Sequence, residues 1–500
     1  MKNFLSVKET AVLLDIHEVS VRRLINRGKV KAKKIGGKLF VDPASLGLKK
    51  NDSVETVLSY GERLRRGEAK IGVWGVGYIG FSTLVYFASE GVEGEGFDID
   101  LKRVEGANRG EADIPGLDEW LNVPVKHLIF HKLMSVTADD QELLSAQPLV
   151  HFVCIPTEKE GEPWLGPLKD VVGKIAGYLQ KHADYKPLII VESTLTPGAS
   201  DDVVLKLFSE KGLKPGEDFL YAVAPRRDWF VDPQHTLKTL DRVFGGYDKE
   251  SGQQTKSVLS IVCEKLHQSS DYRVAEMVKS VENAYRHMDI TLANQLTLAY
   301  PNSSIREVLR LVGTKWNAGT FYPSFGTGGY CIPLSSKYVI SGAKNPQALT
   351  LLRETIATDK SMPKRVVMAL QKRKIRSVGI LGLSYKGNLK VPHQSPAIGI
   401  AKELKKRGMT VRVNDPYYDD KEIKLLTGCK SFDFPNELSK FEALVLVADH
   451  ALYTMPGTLK HLEKSKVRVI YDNVGFWKNL TFFNERGIDY YIPGDDNWLK

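Results

Sequence analysis

The segment Lys70 to Gly80, KIGVWGVGYIG, constrains this chain more than any other. An apolar run leads without a spacer into Gly75-Val76-Gly77-Tyr78-Ile79-Gly80, and FSTLVYFASEG then continues as an amphipathic helix to Gly91. In a G-x-G-x-x-G so placed, the first glycine permits a tight turn, the second lets backbone approach a pyrophosphate, and the third lets the helix pack closely on its strand. The first residues of the helix, Tyr78 and Ile79 among them, then offer free N–H groups and a partial positive charge to that phosphate. Asp98 closes the next strand, GEGFDID, where a carboxylate binds the adenosine ribose hydroxyls and repels the extra phosphate of NADP. Gly75, Gly77, Tyr78, Ile79, Gly80 and Asp98 therefore form the expected site for NAD.

At 500 residues the chain should hold three or four domains, taking about 150 residues for each. Further strands, PLVHFVCIP and PLIIVEST, alternate with helical stretches, which predicts a parallel, doubly wound sheet. From Asp271 to Ala299 an apolar helical pattern runs without Gly or Pro, and a helix this long connects domains or lies at a subunit interface. A second α/β unit follows in RSVGILGLSYKG, VRVNDP, EALVLVAD and RVIYDN. The expected fold is α/β, with two Rossmann-like doubly wound domains joined by a long central helix and an active site in the cleft between them. The expected boundaries are a small N-terminal module over 1–48, a linker over 49–68, the NAD-binding domain over 69–224, a central helical domain over 225–345 and the second Rossmann-like domain over 346–500.

Ahead of this body, SVKETAVLLD, a turn at Ile16-His17 and EVSVRRLINRG predict two short helices. KAKKIGGKLFVDP alternates around Gly36-Gly37, the pattern of a hairpin with a two-residue turn. This resembles the excisionase-like winged helix-turn-helix family. Residues 1 to 67 hold 15 Lys and Arg against 7 Asp and Glu, so eight of the ten net positive charges sit here. If the module binds DNA, its second helix enters a major groove with Arg22, Arg23 and Arg27, while Lys33 and Lys34 of the wing meet phosphates. The alternative is a small fold repurposed for assembly, with its charge merely solvated.

No run of about 18 apolar residues exists, and Lys8, Glu9 and Asp15 interrupt the N-terminal segment, so neither a membrane span nor a secretion signal is expected. Four scattered cysteines without a CxxC pair suit reduced thiols and a cytoplasmic setting. The 11 histidines show no metal-ligand spacing, and no metal is expected.

FYPSFGTGGYCIP, residues 321 to 333, carries the chemistry. Gly326, Gly328 and Gly329 make a loop that can wrap a ligand and hold Cys331 at its end as a nucleophile, whereas Cys154 lies in an apolar strand and Cys263 on an apolar helix stripe. Lys279 and Asn283, spaced i, i+4, share a helix face and together can polarise an alcohol oxygen or stabilise an oxyanion; alone, such a pair is more often a solvated face.

From Lys70 onward the chain resembles the UDP-glucose/GDP-mannose dehydrogenase family. The resemblance is carried, in the family's order, by GVGYIG, FDID, VCIPT, VESTLTPG, RVFGG, AEMVKSVENAYR, FYPSFGTGGYCIP, GLSYKGN, SPAI and NDP. It implies oxidation of the C6 alcohol of a nucleotide sugar to a carboxylate in two NAD-dependent steps, with UDP the commonest carrier and a homodimer the expected assembly. By the same resemblance Cys331 captures the aldehyde as a thiohemiacetal, later oxidised to a thioester and hydrolysed. Lys279 and Asn283 match the catalytic Lys and Asn, Thr194 matches a water-binding Thr, and Thr157 falls in the cofactor site. Phe321, Tyr322, Gly326, Gly328, Gly329 and Lys386 match positions near the sugar nucleotide.

Three departures from the family stand out. Its Cys-x-Pro-x-Asp is here Cys331-Ile332-Pro333-Leu334-Ser335, and its Pro-Glu, whose glutamate helps hydrolyse the thioester, is Pro225-Arg226. A substrate-binding arginine, reaching across the dimer interface, becomes His393. Asp228 is the candidate substitute for the missing glutamate; alternatively, Arg226 and Arg227 bind an additional anionic group. Two other readings stay open: a DNA-binding regulator whose degraded dehydrogenase body senses NAD or a nucleotide sugar, and a dehydrogenase that stops at the aldehyde.

Overall fold

The computed structural model describes residues 5–13, 18–35, 38–46, 58–112, 117–228, 234–454, 458–478 and 481–499. The expected turns at Ile16-His17 and Gly36-Gly37 lie outside the described residues. The chain divides into two units, Met1–Ser59 and Tyr60–Lys500.

In the first unit, helices Val7–Leu13 and Glu18–Asn26 precede an antiparallel hairpin, Ala32–Ile35 with Lys38–Val41, whose second strand also pairs with Leu5–Ser6. Val7, Ala11, Val21, Val30 and Val41 form its small core. Arg22, Arg23, Arg27, Lys33 and Lys34 are all exposed.

The second unit opens with helix α1 (Tyr60–Arg65). Its Tyr60 N–H donates to Gln254 Oε1 (2.8 Å), its Tyr60 hydroxyl to Lys186 O (2.7 Å) and its Gly61 N–H to Ser257 Oγ (3.1 Å), and Leu64 is buried. The expected linker over 49–68 therefore ends early. Amid GERLRRGEA, Tyr60 and Leu64 are one helical turn apart, and that narrow apolar edge docks a segment whose composition reads as solvated.

An eight-stranded sheet follows, built from β1 (Ile71–Trp74), β2 (Gly94–Phe97), β3 (Met134–Thr137), β4 (Val150–Val153), β5 (Leu188–Val191), β6 (Leu220–Val223), β7 (Arg242–Gly246) and β8 (Leu266–Gln268). Its order is β8-β7-β6-β5-β4-β1-β2-β3, parallel except where β6 meets β7. Strands β1, β4, β5 and β6 are buried at every residue, as strands covered on both faces must be. The sheet thus runs to Gln268, so β7 and β8 belong to it and not to a helical domain beginning at 225. LHQ is an edge strand and RVFGG lies one strand in, and both are too brief to read by alternation. Helix α2 (Tyr78–Ser89) is buried at every position from Gly80 to Ala88, so it is a core helix rather than an amphipathic one; Trp120, Leu121, Val125 and Leu128 cover the side away from the sheet.

After α3 (Lys249–Leu259), the expected long helix is α4 (Tyr272–Ala299), followed by α5 (Ile332–Ser341) and α6 (Thr350–Lys372). The second sheet holds β9 (Ser377–Leu381), β10 (Thr410–Asn414), β11 (Lys430–Ser431), β12 (Ala443–Leu446), β13 (Val469–Asp472) and β14 (Asp489–Tyr491), all parallel in the order β11-β10-β9-β12-β13-β14, with α7 (Pro396–Lys406) after β9.

The two α/β halves repeat one device. Gly75 N–H donates to Phe97 O and Gly382 N–H to Asn414 O, each at 2.8 Å, and both glycines have positive φ (+86° and +89°). Asp98 Oδ2 accepts from Val76 N–H, and Asp415 Oδ2 accepts from Leu383 N–H, again at 2.7 Å in both. Each half therefore ends its first strand in the same glycine turn under the same carboxylate.

Candidate active site

At the first glycine turn, a Cβ on Gly80 would lie 1.8 Å from Gly75 O, whereas one on Gly77 would meet open space. Gly80 is thus needed for close packing and Gly77 leaves room for a ligand, the division of labour that a pyrophosphate requires. Asp98 is buried, its Oδ1 accepting from Asp100 N–H (2.9 Å), with Arg103 Nη1 3.7 Å from Oδ2. These residues fit NAD. Gly80→Ala should weaken NAD binding at least about tenfold, a loss of about 1.4 kcal/mol or more, because the overlap falls on backbone. Titration calorimetry checks this, and an unchanged Kd would refute the packing argument.

Thr157 and Thr194 meet at the carboxyl ends of β4 and β5. Thr157 Oγ1 donates to Thr194 O (2.6 Å) and lies 2.9 Å from the Tyr338 hydroxyl, which also donates to Thr157 O (3.0 Å). Tyr338 belongs to α5, the helix that starts just after Cys331, so the NAD-binding sheet is tied directly to the cysteine's helix. Ser280 Oγ donates to Leu195 O (3.2 Å), bringing α4 against the Thr194 loop. Lys279 and Asn283 are both buried, one turn apart on α4, so the solvated-face reading falls. Lys279 Nζ donates to Glu282 Oε1 (3.2 Å), and Asn283 Nδ2 is a buried donor without a protein acceptor. Such an orphaned donor costs free energy unless a ligand oxygen meets it.

Cys331 is exposed, whereas Cys154, Cys263 and Cys429 are buried. Burial, with Glu192 beside it, pushes the Cys154 thiol well up; burial raises Cys263 to about 11 and lifts Cys429. These three are poor nucleophiles at neutral pH.

The glycine loop before Cys331 is shaped by Tyr385. A Cβ on Gly328 would sit 2.5 Å from Tyr385 Cβ, and one on Gly329 3.2 Å from its ring. Thr327 N–H and Oγ1 donate to the two Asp359 oxygens (2.8 Å each). Lys386, which follows Tyr385, is half-buried. Phe321 and Tyr322 lie further along it, under the guanidinium groups of Arg286 (5.9 Å) and Arg306 (5.2 Å).

The three departures each find a structural place. Ser335 Oγ donates to Cys331 O (2.6 Å), an ordinary back-bond within the helix. Arg226, 1 % exposed at its side chain, donates to Asp228 Oδ1 (2.8 Å), Ser82 Oγ (3.0 Å), Thr83 Oγ1 (2.6 Å) and Ile79 O (3.3 Å), with Glu192 Oε2 3.8 Å away. Glu192 is also paired with Arg242. Burial raises the Asp228 carboxyl, but the adjoining Arg226 guanidinium outweighs it and holds it below the usual range. Arg227 donates to Glu282 Oε2 (2.7 Å) and Asp241 O (2.9 Å). Asp228 is therefore consumed by Arg226 rather than free to replace the glutamate, and neither arginine is left for an anionic group on a substrate. His393 stacks on Tyr330, the residue before Cys331, within the same chain (centroids 4.0 Å, 14°).

Sequence reasoning missed Tyr338, Glu282 and Glu158. It also left Asp415 unassigned, although NDP stands to the second glycine turn as FDID stands to the first. Leu383 N–H, Ser384 N–H (3.2 Å) and Tyr417 N–H (3.0 Å) converge on that carboxylate, backed by His450 Nε2 at 3.0 Å.

Known proteins match this chain along most of the second unit. The UDP-glucose/GDP-mannose dehydrogenase family models match residues 69–262 (NAD binding domain), 273–360 (central domain) and 379–479 (UDP binding domain). The chain belongs to this family. It is an NAD-dependent dehydrogenase carrying an N-terminal helix-turn-helix domain, matched over residues 4–46. Among the relatives of this dehydrogenase, UDP-N-acetyl-D-mannosamine dehydrogenase of Methanocaldococcus jannaschii is 30% identical over 443 residues, covering 85% of this chain and 96% of that protein. UDP-N-acetyl-D-glucosamine 6-dehydrogenase of Pseudomonas aeruginosa is 27% identical, covering 81% and 96%. The solved UDP-D-ManNAc dehydrogenase of Pyrococcus horikoshii superposes with a TM-score of 0.74 at 24% identity, covering 86% of this chain and all of that one. Among the described residues, no helix of the dehydrogenase is long and apolar enough to cross a membrane.

Proposed function

We propose that this dehydrogenase oxidises the C6 alcohol of a UDP-sugar, with a 2-acetamido hexose the favoured class, to the uronic acid. The observation that carries the reading is Cys331: an exposed thiol at the head of a helix whose Tyr338 is bonded to Thr157 of the NAD domain. Bound NAD supplies two-electron oxidising power. Lys279 and Asn283 meet the sugar oxygen, Asn283 through its unpaired Nδ2. Thr194 holds water, and Cys331 keeps the aldehyde attached as a thiohemiacetal so that it can be oxidised again. Phe321, Tyr322, Gly326, Gly328, Gly329 and Lys386 line the nucleotide-sugar side. Exposed Val274, Met277, Tyr285 and Leu292 on α4 support a homodimer through that helix, and the free thiols support a cytoplasmic setting. NADH release with UDP-N-acetylmannosamine, UDP-N-acetylglucosamine, UDP-glucose and GDP-mannose tests the reading; silence with all four, in a chain that binds NAD, would reject it.

The locked Arg226–Asp228 pair favours a second reading, in which oxidation stops before the free carboxylate. Product mass separates the two, since the carboxylic acid is heavier than the aldehyde by one oxygen.

Arg22, Arg23, Arg27, Lys33 and Lys34, all exposed, support DNA binding by the N-terminal module. Neutralising about five phosphates per module gives log K against log salt a slope of about −4.5, readable in band shifts, and replacing Arg22, Arg23 and Arg27 by Gln should flatten it to about −1.8. A salt-insensitive shift would refute a phosphate-driven interface.

A further inference from the structure

We propose that His393, with Glu158 beside it, is the base that activates water against the acyl group on Cys331. This rests on the thioester chemistry proposed above, and it fills the gap left where Arg226 and Ser335 replace carboxylates.

Glu158 follows Thr157 at the mouth of the NAD domain, in a small hairpin (Glu158–Lys159 with Glu162–Pro163). Its Oε2 accepts from Gly161 N–H (2.9 Å) and lies 3.4 Å from His393 Nε2. That buried ring nitrogen makes no hydrogen bond, and the carboxylate beside it favours the tautomer with the proton on Nε2, which leaves the Nδ1 lone pair as the basic site. The imidazole is fixed at the nucleophile's loop twice over. Its ring stacks on Tyr330, and its own carbonyl accepts from Gly329 N–H (2.8 Å).

The charged and titratable groups facing His393 are Glu158 from the hairpin, Lys337 from α5, itself paired with Glu162 (2.6 Å), and the Tyr330 phenol, raised chiefly by burial. Burial holds His393 below its usual value, Glu158 opposes that, and Lys337 adds to it. At neutral pH the ring is uncharged, the form that can accept a proton. An arginine at this position could bind substrate but could not take one up.

In the step itself, water oxygen bonds to the thioester carbon as His393 Nδ1 takes a water proton. The C–S bond then breaks, its electron pair leaving on the Cys331 sulfur, and the product departs as a carboxylate. No further oxidant is consumed. His393 touches the attacking water, and Glu158 is a positioning residue.

The test uses the full chain with NAD and UDP-N-acetylmannosamine. His393→Gln should give a burst of two NADH per Cys331 and then turn over about 100-fold or more below the parent. Intact-mass spectrometry of the quenched protein should show an acyl adduct on Cys331, and hydroxylamine, which needs no base to attack a thioester, should restore turnover. Glu158→Gln should move the acidic limb of the steady-state rate to lower pH, because it removes the charge that raises His393; a merely structural role would not shift it. The burst in His393→Gln, repeated in His393→Asn, shows that each variant is folded and competent up to hydrolysis. Steady turnover in both variants within about threefold of the parent, or a block before the second NADH with no adduct, overturns the proposal. No NADH from the parent chain overturns the dehydrogenase reading itself, a different failure.

Discussion

Cys331→Ser should lower steady-state NADH formation by roughly a thousandfold or more while leaving NAD affinity intact. In the proposed chemistry the first oxidation, alcohol to aldehyde, does not need the thiol, so the variant should still release up to one NADH per active site before it stalls. A serine hydroxyl stays protonated at neutral pH and is a far weaker nucleophile toward the aldehyde. Native alkylation with iodoacetamide gives an independent check. Cys331 is exposed, and the other three thiols are both buried and raised, so a single label per chain is expected, at position 331. Complete oxidation by the serine variant, or labelling at a buried cysteine first, would remove Cys331 from the chemistry.

Arg226→Ala should destabilise the fold by about 3–5 kcal/mol, the cost of leaving buried charge without its partner. The guanidinium faces Asp228 and Glu192 and bonds Ile79, Ser82 and Thr83 of the dinucleotide helix, so its loss strands the Asp228 carboxylate in the interior and leaves Glu192 to Arg242. Restoring the family's glutamate with Arg226→Glu should be worse than alanine, because it adds a third buried carboxylate to those two. Urea unfolding measures both. The pH dependence has a definite sign: Asp228 is held below its unfolded value of about 3.9, so its pairing stabilises the protein above that pH and is lost as pH falls through the lower folded value. Without Arg226 the burial that raises Asp228 is unopposed, so the gap between parent and Arg226→Ala should be widest at neutral pH and narrow as pH falls through the raised Asp228 value of the variant. A loss under about 1 kcal/mol would mean that the cluster is not the structural clamp described.

Much of the site was legible because its chemistry is local. The G-x-G-x-x-G turn, Asp98 and the Cys331 loop are short runs whose function depends on backbone geometry, and such geometry is written in neighbouring residues. Lys279 and Asn283 were legible as a pair through helical spacing. The substitutions at 226, 335 and 393 were equally visible, but what they do was not. Sequence offered Asp228 as a spare carboxylate and Arg226 as an anion binder; burial of both side chains, 1 % exposed, decided against each. Likewise, the polar string after residue 59 hid a docked helix, and Glu158, beside Thr157, carried no signal until His393 was found opposite it.

The sequence by itself determined the first glycine turn, the second α/β unit, the long helix between them, the thiol and the fused basic module, because strand, turn and helix patterns and the residues that open them are set within a few positions of one another. Only the tertiary structure decided which charges face which. Arg226 and Glu192, or Glu158 and His393, are separated by tens to hundreds of residues, and whether a side chain pairs, catalyses or merely packs depends on the partner and the dielectric that folding brings to it.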